Sequence, residues 1–371
     1  MTGLSEKPLV TFAVFGRNQE LFVREAVKSA FAQTYSPLEI ILSDDCSDDR
    51  TFNIMQEMAA DYKGPHQVRL NRNPVHSSIG GHFNSVVGMA RGEFIIVQAA
   101  DDISLPERTL ISWKAWEKSG RRATSLHSDF IQIDIDGREI DPIFRNEEKY
   151  EPGQFVAQQI DPVSYVKTLK PILFGCTHAF CKSLFDTFGN LPDNITHEDN
   201  VIGFRSVLVK GLFYINEPLV QYRLHDTNMF LCRGQAGSDI KALEQSEQRF
   251  RRDIRNRETM YMAFLLDLDT ARSKGLIEEP VFESIYREVE CLRKQYYLMG
   301  KYLDSGFFRR FYHFQQLRQA RQGNFYSKFL ITRLLPKSIL FRLQLLKRRF
   351  ALVNQKLLFL KGLPIAKRTV S

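Results

Sequence analysis

The sequence predicts an α/β protein: a mostly parallel sheet flanked by helices, followed by an all-helical C-terminal region. Three observations carry this. Over residues 9–102, short apolar runs rich in β-branched and aromatic residues alternate with helix-length amphipathic stretches, the pattern of βαβ units. From about Ser238 onward the strand signals stop and helical periodicity takes over. The 371 residues, 43% hydrophobic and 25% charged, suffice for two or three domains with sizeable cores and are too apolar for wholesale disorder.

Leu9 to Phe15 reads as a buried strand, and Leu21, Phe22, Ala26, Val27, Ala30 and Phe31 recur at helical spacing until Ser36-Pro37 closes the helix. Leu38 to Ser43 is a second buried strand. The turn Asp44-Asp45-Cys46-Ser47-Asp48-Asp49 offers N-cap residues for a helix from about Arg50 to Tyr62. Gln67 to Leu70 is a third strand; Gly80-Gly81 opens a helix that runs through Ala90 and that Gly92 stops. Glu93 to Gln98 is a fourth strand, ending at Ala99-Ala100-Asp101-Asp102. Residues 103–230 are mixed, with a hairpin turn at Asp134-Ile135-Asp136-Gly137-Arg138. Phe282, Ile285, Val289, Leu292, Tyr296 and Met299 form an apolar seam on one helix, suited to internal packing or to pairing between two chains. The domains expected are 1–235, a helical extension 236–300 and a tail 301–371.

The charge is uneven. Residues 301–371 hold 16 Lys and Arg against one acidic residue, Asp304, so the net +8 of the whole chain leaves the first 300 residues net acidic. The tail interleaves its cations with Phe307, Phe308, Phe311, Phe325, Phe329, Leu334, Leu335 and Phe341, and Pro336 divides it into two short helices. Such helices suit an anionic membrane interface; no nucleic-acid recognition motif accompanies them. The five Cys lack metal spacing, and their odd number argues for a reducing compartment. The N-terminus has no signal-peptide pattern and no apolar run reaches the ~18 residues of a membrane span. The expected location is cytoplasmic, peripheral on the cytoplasmic face of the membrane.

Ligands of open parallel sheets sit at the carboxyl ends of strands. Asp44-Asp45 and Asp101-Asp102 fall at two such ends, and together they can take a hard divalent cation, Mn²⁺ or Mg²⁺, and hydrogen-bond a ribose or a base. No G-x-x-x-x-G-K-[ST], no G-x-G-x-x-G after the first strand and no G-x-S-x-G elbow is present, which argues against P-loop, dinucleotide and serine-hydrolase chemistry.

An ordered set of motifs resembles family-2 glycosyltransferases with the GT-A fold, a Rossmann-like nucleotide-diphospho-sugar transferase architecture. It comprises Phe15-x-x-Asn18-x-Glu20, Gln33-Thr34-Tyr35, then Asp44-Asp45-x-Ser47-x-Asp49-x-Thr51, Asn84, Ala90-x-Gly92-Glu93-Phe94-Ile95 and Asp101-Asp102. It continues with Phe174-Gly175-Cys176-Thr177, His197-Glu198-Asp199-Asn200, Gly211 and Glu217-Pro218-Leu219-x-x-Tyr222-Arg223-x-His225. The likeness covers about residues 8–230. It implies a crevice for a nucleoside diphosphate sugar, a UDP-sugar in first place. Phe15, Asn18 and Glu20 would lie in the loop beside the base, with Asp45 contacting it, Asn84 nearby and Asp101 on the ribose; Arg223 could pair with phosphate, with the neighbourhood of Asp199, or structurally. Asp102, with Asp101 and His225, would hold the metal. Asp199 falls where the family places its general base, with Glu198 as fallback, and one base acting on a direct displacement implies inversion at C1. Many members read D-x-D-D where this chain has Ala99-Ala100-Asp101-Asp102, so the leading Asp is absent. His82 and His178 are expected to be structural. The acceptor expected is a lipid-linked or cell-envelope saccharide. Two other readings remain open at this point: a nucleotidyltransferase on a related sheet, and a silent scaffold with a basic membrane-binding tail.

Overall fold

The computed structural model describes residues 7–144, 151–226, 228, 240–306, 309, 312 and 313. By compactness the chain divides into two units, Met1–Arg233 with Thr259–Glu290, and Gly234–Glu258 with Cys291–Ser371.

The first unit opens with the expected alternation: β1 (Val10–Gly16), α1 (Val23–Phe31), β2 (Leu38–Asp44), α2 (Thr51–Asp61), β3 (Gln67–Arg72), α3 (Ile79–Met89) and β4 (Phe94–Ala99). It continues with β5 (Ile103–Ser104), α4 (Arg108–Lys118), β6 (Ser125–Ile133), β7 (Glu139–Phe144), β8 (Phe155–Ala157) and α5 (Pro162–Thr168). A 3-10 turn, Gly175–Thr177, precedes β9 (Ala179–Cys181), α6 (Ser183–Phe188), α7 (Glu198–Leu208) and β10 (Leu212–Arg223). The sheet runs β3-β2-β1-β4-β9-β6-β10-β5, with β7 on β6 and β8 on β10. β3, β2, β1 and β4 are mutually parallel, as are β6 and β10; β9 is antiparallel to both β4 and β6.

β1, β2 and β4 are legible as unbroken apolar runs because helices cover both faces of the sheet there, which buries every residue of β2. One of those residues is Glu39. Burial would push its carboxyl up, but the Arg91 amide, Arg69, Arg91 and Thr11 all donate to it and hold it below the ordinary range. β3, at the sheet edge, alternates between half-buried and exposed residues.

Local differences have local causes. Leu21 is exposed, because a turn closed by Phe22 and Val23 amides on the Gln19 carbonyl precedes α1. Gly92 does not cap α3; a Cβ there would lie 2.5 Å from the Thr11 amide nitrogen, so glycine is required where the chain enters β4 against β1. The Asp134–Arg138 hairpin forms as expected, with Gly137 at φ +82° and the Asp134 carboxylate accepting from the Asp136 and Arg138 amides.

Helix α8 (Ile240–Ser273) supplies the first unit with Asp267, which forms a buried ion pair with Arg205 of α7 at 2.9 Å. The Arg205 guanidinium lies between the Phe185 and Phe188 rings and donates to the Gly189 carbonyl. α7 is thereby fixed from its middle, which matters because its first turn carries Glu198 and Asp199. Helix α9 (Glu279–Asp304) carries the apolar seam. Phe282, Ile285 and Val289 are buried within this one chain, so the seam packs internally along that stretch. In the second unit, Ile254 packs with Leu298, Met299, Tyr302 and Leu303, and Arg251 pairs with Asp304. The two helices expected on either side of Pro336 lie outside the described residues. No described helix is long and apolar enough to cross a membrane.

Candidate active site

The acidic pairs sit along the carboxyl edge of neighbouring parallel strands. The Asp45 amide donates to the Gly16 carbonyl at 2.9 Å and the Ala100 amide to the Phe15 carbonyl at 2.8 Å, so the ends of β2, β1 and β4 are joined directly.

At the β2 end, Asp44 turns inward and accepts from the Ser47 amide at 2.9 Å. Asn18, at φ +53°, accepts from the Asp48 amide and donates its own amide to Ser47 Oγ. Gln19 N bonds Thr51 Oγ1, Glu20 N bonds Asp49, and the Glu20 carboxylate accepts from Arg50 N. The spaced Ser, Asp and Thr of this motif thus lace the loop after β1 to the turn after β2. Asn18 and Glu20, expected beside the base, work as part of that lacing. Phe15 packs face to face on Phe83 at 4.5 Å, with His82 against its edge. Asn84 is occupied elsewhere: its amide donates to the Leu191 carbonyl and its oxygen accepts from the Leu191 amide.

Asp45 is buried. Burial alone would raise its carboxyl, but the Ser77 amide, Asn73, the Ser77 hydroxyl and His76 donate to it and hold it below the usual range.

At the β4 end the two acids part company. Asp102 points inward: its Oδ1 accepts from the Arg223 amide at 2.9 Å, while Oδ2 lies buried beside the Cys176 thiol without a standard hydrogen bond. Burial, and then the Asp101 charge, push the Asp102 carboxyl well up. Asp101 is the half-buried member and meets His225 Nε2 at 3.0 Å. The His225 ring lies 4.8 Å from that of Phe22. The expected triad of Asp102, Asp101 and His225 is therefore a facing pair, Asp101 and His225, with Asp102 behind it. Among the described residues no cluster of three or more His, Cys, Asp or Glu is arranged around a cation position.

Of the roles open to Arg223, its contacts fit the structural one: it is buried. Nε donates to the Asp101 carbonyl, Nη1 to the Asp134 and Ile135 carbonyls and Nη2 to Glu25, with the guanidinium over the Phe22 ring. Its donors are directed at protein groups around the site.

Glu198 and Asp199 begin α7, where the helix dipole favours negative charge. Asp199 is half-buried; its Oδ1 accepts from the Asn200 amide at 2.7 Å and from Asn200 Nδ2 at 2.9 Å. Burial nonetheless pushes its carboxyl up to about 6, against those bonds and one from the Gly175 amide. Glu198 is driven well above its ordinary value by burial and then by the Asp199 charge, so the two titrate together. A Cβ on Gly175 would come within 2.7 Å of Glu198 Oε1. The Gly175–Thr177 turn therefore bridges the two acidic ends: Gly175 touches Glu198 and Asp199, and the next residue, Cys176, touches Asp102.

His82 and His178 are structural. Burial lowers them to about 4 and about 3, and each neutral ring bonds a serine, Ser43 and Ser125 respectively. Sequence reasoning missed His76, Glu25 and Phe22, none of which stands in a residue pattern with chemical meaning of its own. Cys176 did stand in a motif, but its only signal was that membership.

Residues 12–187 match the profile of glycosyl transferase family 2. Over these residues, just under half of its length, the chain is similar to that family. An uncharacterized glycosyltransferase of Rickettsia typhi is 23% identical over 59% of this chain and 65% of its own length, so the chain spans just under two thirds of that relative. The succinoglycan biosynthesis protein ExoO of Rhizobium meliloti is 31% identical over 35% of this chain and 36% of its own length. Among solved structures, residues 1–349 of TarS from S. aureus, in complex with UDP-GlcNAc, align over 77% of this chain and 91% of that one, at a TM-score of 0.47 and 14% identity. The mainly parallel sheet agrees with the GT-A architecture that the family motifs imply.

Because Asn84 joins α3 to the 190–193 loop through three hydrogen bonds, two with the Leu191 backbone and one to Asp193, Asn84→Ala should lower stability by about 1–3 kcal/mol. The folded variant should retain its affinity for nucleotide. Urea denaturation and nucleotide titration of the same preparation check both halves, and a large affinity loss with unchanged stability would give Asn84 a ligand-binding role.

Proposed function

We propose that this protein is an inverting glycosyltransferase of family 2. It would move a sugar from a nucleoside diphosphate sugar, a UDP-sugar in first place, to a hydroxyl of a saccharide acceptor. The observation that carries the reading is Asp199: a half-buried carboxyl lifted to about 6, whose neighbour Gly175 leads through Cys176 to Asp102, next in sequence to Asp101.

The acceptor hydroxyl loses its proton as its oxygen attacks C1 of the donor sugar, and Asp199 in its ionised form takes that proton. A carboxyl near 6 is ionised at neutral pH and still basic enough for the task. Glu198 beside it is pushed well up by burial and then by the Asp199 charge, which disfavours a second negative charge there. The nucleoside diphosphate leaves from the opposite face, so C1 inverts. Asp101, with His225 bonded to it, would hold a divalent ion, Mn²⁺ or Mg²⁺, whose charge would help the diphosphate to leave. Asp102 and Arg223 hold the strand ends on which this pair stands.

The acceptor is proposed to be lipid-linked or a cell-envelope glycan precursor. Support comes from the polysaccharide role in the name of ExoO and from the basic, aromatic-rich residues 301–371. The tail would dock the enzyme on an anionic cytoplasmic membrane surface.

Three outcomes test this. kcat/KM should fall as pH drops below about 6, because protonation removes the base. Asp199→Asn should abolish that dependence, lower transfer by about 10²–10⁴-fold and preserve donor binding; a near-normal rate would place the base elsewhere. Asp101→Ala should weaken Mn²⁺–UDP binding by about tenfold or more in calorimetry while leaving the thermal midpoint close to wild type. Deleting residues 301–371 should abolish co-sedimentation with vesicles containing anionic phospholipid, and unchanged sedimentation would remove the membrane assignment.

A further inference from the structure

The family resemblance gives the nucleotide base to Asp45, yet that carboxylate is already enclosed. Oδ1 accepts from Asn73 Nδ2 at 2.7 Å, from Ser77 Oγ at 2.8 Å and from Ser77 N at 3.0 Å, and Oδ2 meets His76 Nδ1 at 2.7 Å. The Asp45 side chain is 5% exposed, whereas that of His76 is 49% exposed. The polar atom presented outward at this point is therefore His76 Nε2, which bonds no described residue.

The ring is held firmly. Asn73 N donates to the Asp44 carbonyl at 2.8 Å, Asn71 Nδ2 bonds Asn73 Oδ1, and Cys46 Sγ lies 3.8 Å from the Pro74 carbonyl oxygen, so the loop after β3 is fastened to the turn after β2 on either side of His76. The Asp45 amide in turn bonds the end of β1, which places His76 along the same carboxyl edge as Phe15 and Asp101.

An ionised carboxylate only accepts, so the Asp45 side orients the ring with its proton on Nδ1. In the neutral ring this leaves Nε2 as an acceptor. We propose that His76, oriented by Asp45, is the residue that reads the nucleotide base, accepting an imide N–H. Uracil and thymine offer N3–H and guanine offers N1–H. Cytosine N3 and adenine N1 are themselves acceptors and would meet Nε2 lone pair to lone pair. This deepens the nucleotide-sugar reading above and rests on it. Asp45 is then a positioning residue, and His76 the one that discriminates between donors.

The test is calorimetric titration of the full chain at pH 8 with Mn²⁺ and UDP, GDP, CDP, ADP and N3-methyl-UDP. Wild type should bind UDP or GDP at least about tenfold more tightly than CDP or ADP. The UDP and GDP arms show which imide base is preferred. If UDP is the ligand, N3-methylation should erase its advantage, a result that needs no variant. In His76→Phe, which keeps a ring but no nitrogen, the preference should shrink to within about threefold, and His76→Gln, which restores an acceptor, should recover part of it. A wild-type preference surviving in His76→Phe, or equal wild-type affinity for UDP, GDP and CDP, overturns the role of His76 and leaves the glycosyltransferase reading standing. Failure of wild type to bind any nucleoside diphosphate overturns both.

Discussion

The site depends on one buried guanidinium. Arg223 ends β10, yet its side chain reaches carbonyls after β4 and after β6 and a carboxylate on α1, and its own amide is held by Asp102. The Asp134 carbonyl has a second donor in the Gly137 amide, so the acceptors that depend most on the guanidinium are the Asp101 and Ile135 carbonyls. The pair with Glu25 adds less than its closeness suggests, because half of the Glu25 side chain stands in water. The planar fork of arginine is what allows one side chain to serve separate segments; a lysine has the charge without the geometry. Asp101 and His225 flank this knot, so their 3.0 Å approach is inherited from it.

What the sequence made legible followed from periodicity and burial. β1, β2 and β4 were readable because covering both sheet faces demands continuous apolar runs, and the hairpin at Asp134–Arg138 because Asp and Gly have few other uses in that spacing. Periodicity says little wherever the direction of a side chain decides its role. Arg223 stood in a motif rich in phosphate-binding residue types, but being the last residue of a central strand it points into the protein. Leu21 matched a helical face that the chain enters only two residues later. Gly92 looked like a helix stop because glycine usually is one there, whereas the reason for it is the Thr11 backbone, distant in sequence. His76 had no pattern at all: its meaning comes from Asp45, and that contact spans 31 positions.

The acidic doublets share a logic that explains both the successes and the corrections. Adjacent residues at the end of a strand or the start of a helix cannot face the same way. Asp44 turns inward to Ser47 while Asp45 faces the His76 loop. Asp102 turns inward to the Arg223 amide while Asp101 faces His225. Glu198 presses against Gly175, and Asp199 is held by Asn200. A doublet therefore reads as one anchor and one outward group, and composition alone does not say which is which.

The electrostatics then sort the outward members by task. Asp45 collects hydrogen-bond donors that hold its carboxyl below the usual range, so it serves to orient its partner ring. Asp199 has donors too, but burial outweighs them and lifts it to about 6, into the range where a carboxyl can take a proton and release it again. Asp101 has an imidazole beside it and keeps 15% of its side chain exposed, surroundings in which a carboxylate can share a cation with a ligand phosphate. Three carboxylates of nearly equal intrinsic acidity are thus given different work by what each one's neighbour in sequence does on the inside of the fold.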